Sequence, residues 1–134
     1  MAIRIADTVR TSRVDAIRAA IDAGAGAGLV RIYSGSKPAK GTAPAGTLLA
    51  EIAFADPCGT SSGGVLTFSS MPRTDASANG TGTAAFFYLT DSTGAFVCDG
   101  DIATSGSDLN LTTTSITTGQ PVEITSFTIT DGNN

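Results

Sequence analysis

The 134-residue chain contains no histidine and no tryptophan. Without histidine, the usual general base for a serine or cysteine nucleophile is missing. A serine–lysine pair would have to draw on Lys37 or Lys40, and both lie in a Pro/Gly-rich stretch that offers no burial to lower a lysine pKa. Cysteine is equally scarce. Cys58 and Cys98 are forty positions apart and, with no histidine to join them, fall far short of a zinc-ligand set. They are expected to stay reduced in a cytoplasm, and a disulfide requires the folded strands to bring them together.

Charge is the next shortage, with 15% charged residues and a net charge of −4. Basic residues are confined to the front of the chain, with Arg4, Arg10, Arg13 and Arg18 in the first eighteen positions and only Arg73 beyond Lys40. The C-terminal two thirds are therefore acidic, and a nucleic-acid groove is not expected there. No run approaches the roughly 18 apolar residues of a membrane span. The opening "MAIRIADTVRTSR" is interrupted by charges and has no apolar h-region, so synthesis in a cytoplasm is expected.

What is present is a folding composition. Hydrophobic residues make up 41%, and Ser, Thr, Gly and Ala fill the space left by charge. The length suits one domain with a sizeable core. Val14, Ile17 and Ile21 recur at helical spacing, Ser12 with Asp15 resembles a capping box, and Gly24 stands where a C′ glycine ends a helix. The pattern predicts a helix from about Ser12 to Ala23.

From Leu29 the period becomes two. Val30 and Ile32 share a face in "LVRIYS". "TLLAEIAF" groups Leu48, Ile52 and Phe54, with Leu49 and Glu51 outward. Leu66 pairs with Phe68, Phe96 with Cys98 against Val97, and Leu109 with Leu111. "TAAFFYLTD" is apolar on both faces and reads as a central strand. In "PVEITSFTIT", Val122 and Ile124 fall out of phase with Phe127 and Ile129, and a β-bulge near Thr125 and Ser126 restores all four to one face. Turn chemistry separates the runs, with "DSTG" after Leu89 forming a short hairpin connection. The expected fold is mainly β: an antiparallel β-sandwich or jelly-roll-like domain over 29–134, preceded by a helical arm and glycine hinge over 1–28. "SGSKPAKGTAPAGT" reads as an exposed loop.

Three features invite a chemical reading. "GAGAG" (24–28) follows a helix and precedes a strand, the reverse of a dinucleotide fingerprint, and Lys37 precedes Pro38 where a phosphate loop needs Ser or Thr. It reads as a joint. Asp91, Asp99, Asp101 and Asp108 have carboxylates suited to calcium or a glycosidic bond, but lack EF-hand order and read more simply as turn residues flanking strands. Tyr33, Phe86, Phe87 and Tyr88 sit inside strand patterns, as core residues do. No catalytic, cofactor-binding or metal-binding residue is assigned.

The order of "RIYSGSKP", "LLAEIAFADP", "GGVLTFSS" and "DLNLTTTSITTGQPVEITSFTIT" resembles small virion proteins encoded among the structural genes of tailed bacteriophages, from about Thr11 to Thr130. The resemblance implies a head decoration, or cement, protein: non-enzymatic, bound to the major capsid protein on the capsid exterior, and homo-oligomeric, commonly trimeric. Neck or tail proteins of the same phages and a carbohydrate-binding, adhesin-like module are the alternatives. Partner contact is assigned to Arg10, Arg13 and Arg18 and to the loop around Lys37 and Lys40. The arginines read alternatively as a solvated helix face. The helix and the loop are the candidates for reaching neighbours, since neither is needed to close a sandwich.

Overall fold

A computed structural model describes residues 3–131. It opens with helix α1 (Asp7–Ile21), which starts five residues ahead of Ser12. Ser12 is therefore inside the helix, where its hydroxyl donates to the Thr8 carbonyl at 2.9 Å and cannot cap. The N-cap position is Ala6, which has no side-chain cap, and Asp7 instead places negative charge at the positive end of the helix dipole. Asp15 is not a capping-box partner either: it accepts from Arg18 and from the Ser61 hydroxyl. The helix ends at Ile21, and Gly24 follows with φ +91°, a conformation that favours glycine.

Eleven strands follow among the described residues. They are β1 (Leu29–Tyr33), β2 (Leu48–Ala53), β3 (Gly59–Ser62), β4 (Val65–Phe68), β5 (Arg73–Asp75), β6 (Gly82–Thr83), β7 (Phe86–Thr90), β8 (Phe96–Ala103), β9 (Leu109–Leu111), β10 (Ser115–Ile116) and β11 (Val122–Thr130). Nine form one sheet in the order β2-β1-β7-β8-β9-β11-β4-β3, with β5 also on β11, while β6 and β10 pair separately. All pairings are antiparallel except β8 with β9, which is parallel, so the large sheet is mixed. β5 lies on β11 on one side and reaches β2 on the other, through Arg73 Nε to the Ala53 carbonyl and the Glu51 amide to Asp75 Oδ2. The sheet thus curls until its margins meet, giving a sandwich-like body around one core.

The alternation read in the sequence holds for most strands. Val30, Ile32, Leu66, Phe68, Leu109 and Leu111 are all buried, and β7 is central between β1 and β8. The β11 bulge is present: Ile124 opposes Leu111 and Ser126 opposes Asn110, leaving Thr125 over. Two bulges were not foreseen. Tyr33 opposes Leu48 while Ile32 opposes Ala50, so Leu49 is the extra residue and turns inward to complete burial instead of facing out. Leu89 opposes Cys98 while Thr90 opposes Phe96, so Val97 is extra there. Phe96 consequently lies on Tyr88, with ring centroids 4.9 Å apart, while Cys98 packs toward the core; the two do not share a face.

An aromatic cluster ties the layers together. Phe127 of β11 lies 4.2 Å from Phe68, 5.1 Å from Phe87 and 5.9 Å from Phe54, centroid to centroid. Helix α1 packs over β3, β4 and the margin of β8 and adds Val14 and Ile21, both fully buried, to the same core. The helix expected to reach outward as an arm is therefore a wall of the domain, because its apolar stripe has a sheet to cover. Its far end is fixed by the β7–β8 turn: the Ser92 hydroxyl donates to the Ala23 carbonyl at 3.2 Å and accepts weakly from the Gly26 amide at 3.4 Å. A Cβ on Gly24 would collide with Ser92 Oγ, so the first glycine of the joint is required for this approach.

Phe127→Ala should cost about 3–5 kcal/mol, the usual range for truncating a buried phenylalanine. Urea unfolding followed by circular dichroism measures it, and a loss below about 1 kcal/mol would contradict the central placement of this ring.

Candidate partner-binding surface

The three arginines assigned to a partner are already engaged within the chain. Arg10 is only 7% exposed, and its guanidinium donates to Asp7 Oδ1 and to the Asp131 carbonyl, both at 3.0 Å. It lies flat on Gly64, where a Cβ would sit 2.8 Å from the guanidinium carbon. Arg13 pairs with the Asp131 carboxylate at 3.2 Å, and Arg18 with Asp15 at 3.1 Å and Asp22 at 3.7 Å. Asp131 itself follows β11 and donates its amide to the Gly64 carbonyl. These contacts fasten α1 to β11 and the β3–β4 turn. Arg10 is held at its head and along its stem, which makes it a packing residue as much as a charge. Arg13, half-exposed, keeps the most solvent of the three.

Lys37 and Lys40 stand on the other group of elements, in the β1–β2 loop (34–47), which is exposed over most of its length. Lys37 makes a loose pair with Asp101 of β8 at 3.4 Å, with the aspartate side chain 79% exposed. A pair so open to water contributes little. Lys40 has no polar side-chain partner among the described residues. The loop lysines lie between β1 and β2, whereas the arginines lie on α1, which packs over β3 and β4, so the five residues belong to different elements of the fold.

The acidic residues divide differently from the reading as turns. Asp91 is a turn residue: one carboxylate oxygen accepts from the Thr93 amide, the Thr93 hydroxyl and the Ala95 amide at 2.8, 2.7 and 3.1 Å, shaping the hairpin in which Gly94 takes φ +91°. Asp99 and Asp101 lie within β8, because that strand is longer than its apolar run. Among the described residues no three of His, Cys, Asp and Glu converge on a common point, and no cavity opens. The aromatic run is mostly interior: Phe87 joins the core, and Phe86 is buried and stacked on Tyr33 at 5.5 Å.

Both cysteines are free thiols, Cys58 buried and Cys98 half-buried, so the strands do not bring them together. Burial pushes each thiol up to about 12, reinforced by the Asp22 carboxylate at Cys58 and by Asp99 and Asp108 at Cys98. The exposed features that sequence reading missed are Ile3, 73% exposed, and Val9, 50% exposed. Starting the helix at Asp7 would have found Val9, which lies five residues, or about 140°, from the inward-facing Val14.

Compared with known proteins, the chain matches no family model, no curated protein and no solved structure. No helix among the described residues is long and apolar enough to cross a membrane.

Two predictions follow from the titrating groups. At pH 8 the native thiols should react with a maleimide or disulfide reagent on the order of a thousandfold slower than after denaturation, when two per chain become reactive. Rapid native labelling would contradict the burial. The Thr93 hydroxyl and the Ala95, Thr93 and Gly94 amides hold the Asp91 carboxyl below its usual range, and Ser61 and then Arg18 do so for Asp15. Since both folded values lie below the ordinary 3.8, their contribution is complete above that pH and is lost as pH falls through the lowered values. Thermal melts from pH 7 to 2 should show that decline, and Asp91→Asn should flatten it.

Proposed function

We propose that this chain is a non-enzymatic structural protein of a tailed-phage virion. In this reading it is a head decoration, or cement, protein that binds the outer capsid surface and bridges neighbouring major capsid subunits. It acts as a homo-oligomer, a trimer by resemblance, with no nucleic-acid or membrane partner. Two things support the reading: the order of segments along the chain, and the form of the molecule. The exposed β1–β2 loop carries the reading furthest. It stands off a tightly cored body and presents Lys37 and Lys40 with at most one weak internal pairing between them.

Such a body suits mechanical work. A curled sheet with an aromatic centre resists deformation, and the loop supplies contact without disturbing it. Weak single contacts, repeated over a lattice by an oligomer, give strong retention through effective concentration. Lys37 and Lys40 are the partner contacts in this scheme. Arg10 serves it indirectly, by holding α1 on the sheet, and Arg18 by pairing with Asp15 and Asp22 along the helix, while Arg13 keeps enough exposure both to anchor and to make contact.

The test is co-sedimentation with tailed-phage capsid shells that lack the protein. Saturable binding to the shell exterior is expected, weakening with added salt. Lys37→Glu with Lys40→Glu should reduce affinity about tenfold or more without changing the thermal melt, since both residues are exposed. No binding at any salt concentration, or antibody labelling of virions confined to the neck or tail, would overturn the assignment.

A further inference from the structure

We propose that Asn79 is a self-modifying site, converting without an enzyme to aspartate and isoaspartate through a succinimide closed with Gly80. Ring closure is easiest when the next residue has no side chain to hinder approach. It also needs an unheld carboxamide and a following main-chain amide that is not engaged as a donor. Asn79 is exposed and is followed by Gly80. Among the described residues its carboxamide makes no hydrogen bond, and the Gly80 amide donates to no acceptor. The pair sits in a bend after β5, and neither residue takes positive φ, so it is not the tight hairpin turn that Asn-Gly commonly forms. Asn110 supplies the contrast. Its Oδ1 accepts from the Ser107 amide at 3.1 Å, its Nδ2 donates to the Ser107 carbonyl at 2.8 Å and the Ser126 hydroxyl at 3.1 Å, and the buried Leu111 follows it.

The Gly80 nitrogen attacks Cγ of Asn79, forming the C–N bond of a five-membered ring. It gives up its proton, the side-chain nitrogen takes one up, and ammonia leaves. Water then opens the ring at one of its two carbonyls. Cleavage of the new bond at Cγ gives aspartate, and cleavage at the original main-chain carbonyl gives isoaspartate. Only water is consumed, so the conversion is independent of any capsid partner. The position gives the product a consequence. The Asn79 amide donates to the Leu49 carbonyl and the Ala78 amide to the Gln120 carbonyl, both at 2.8 Å, and the Thr118 amide donates to the Thr81 hydroxyl at 3.0 Å. Residues 78–81 thus strap β2 to the turn ahead of β11. The strap has no slack, since a Cβ on Gly80 would lie 2.7 Å from the Leu48 carbonyl oxygen. Isoaspartate carries the main chain through the former side chain and lengthens it by one carbon, which pulls the strap out of register. Aspartate leaves the main chain unchanged and adds one negative charge.

The experiment holds the full folded chain at pH 8 and at pH 6 for some days and reads each asparagine by proteolysis and fragmentation mass spectrometry. Asn79 should convert at least about tenfold faster than Asn110, whose hydrogen bonds must first break. It should convert faster at the higher pH, where the attacking amide loses its proton more readily. Asn79→Gln, with a longer side chain that closes the ring poorly, should abolish the fast conversion. The isoaspartate fraction, separated chromatographically from the aspartate one, should melt several degrees below the unmodified chain, whereas Asn79→Asp should melt with it. Asn79 left intact in the folded chain would overturn the proposal, and a urea-unfolded sample shows whether the fold is what protects it. Equal rates at Asn79 and Asn110 would overturn it too, and an isoaspartate fraction that melts with the wild type would overturn the part given to the strap.

Discussion

Phe127 touches Phe54, Phe68 and Phe87 at once, and it does so because β11 carries one residue more than β9 opposite it. Without Thr125 as the unpaired residue, the second half of the strand would present Thr128 inward and Phe127 to solvent. The cluster joins the end of β2, β4, β7 and β11, so this one insertion sets how far the sheet must curl for its layers to meet. The polar contacts of β5 with β2 then occur where the margins have already been brought close. Burial fixes the curvature, and the hydrogen bonds finish the seam.

The helix depends on the same geometry. Val14 and Ile21 need an apolar surface, which the curled sheet supplies between β4 and β8. The polar residues around them add direction. Arg10 and Arg13 hold one end at Asp131, Arg18 and Ser61 meet at Asp15 in the middle, and Ser92 seals the last turn. Ion pairs of this exposure add little individually. Their value lies in orientation: a short helix with a narrow apolar stripe has few other ways to choose its angle.

Much of this was legible in advance because it follows from local periodicity. The alternation of Val30 with Ile32, the two-sided apolarity of Phe86 to Leu89 and the phase slip before Phe127 are all properties of short windows. Leu49 and Val97 were misplaced for the opposite reason. Their strands keep regular alternation in sequence, and the extra residue appears only when a particular partner strand is laid alongside. The helix start was missed because Ser12 is a good cap in isolation, while the true first turn is held by Arg10 reaching Asp131, a contact invisible at short range. The assigned basic residues were found as a group because charge is scarce in this chain. Their division into anchors and free groups was not, since the acids that neutralise the arginines come from places as distant as the end of β11.

The span between Arg10 and Asp131 is 121 residues. On a ribosome, α1 can meet β3 and β4 once Phe68 has been made, but the anchoring of Arg10 and Arg13 must wait until almost the last described residue. The fastening of the helix at Asp131 is a closing step, dependent on a contact of the longest range among the described residues, and such topologies assemble slowly. Until β11 is in place the sheet under Val14 and Ile21 is incomplete, which makes the interval before release, and not the finished protein, the stage most open to misassociation.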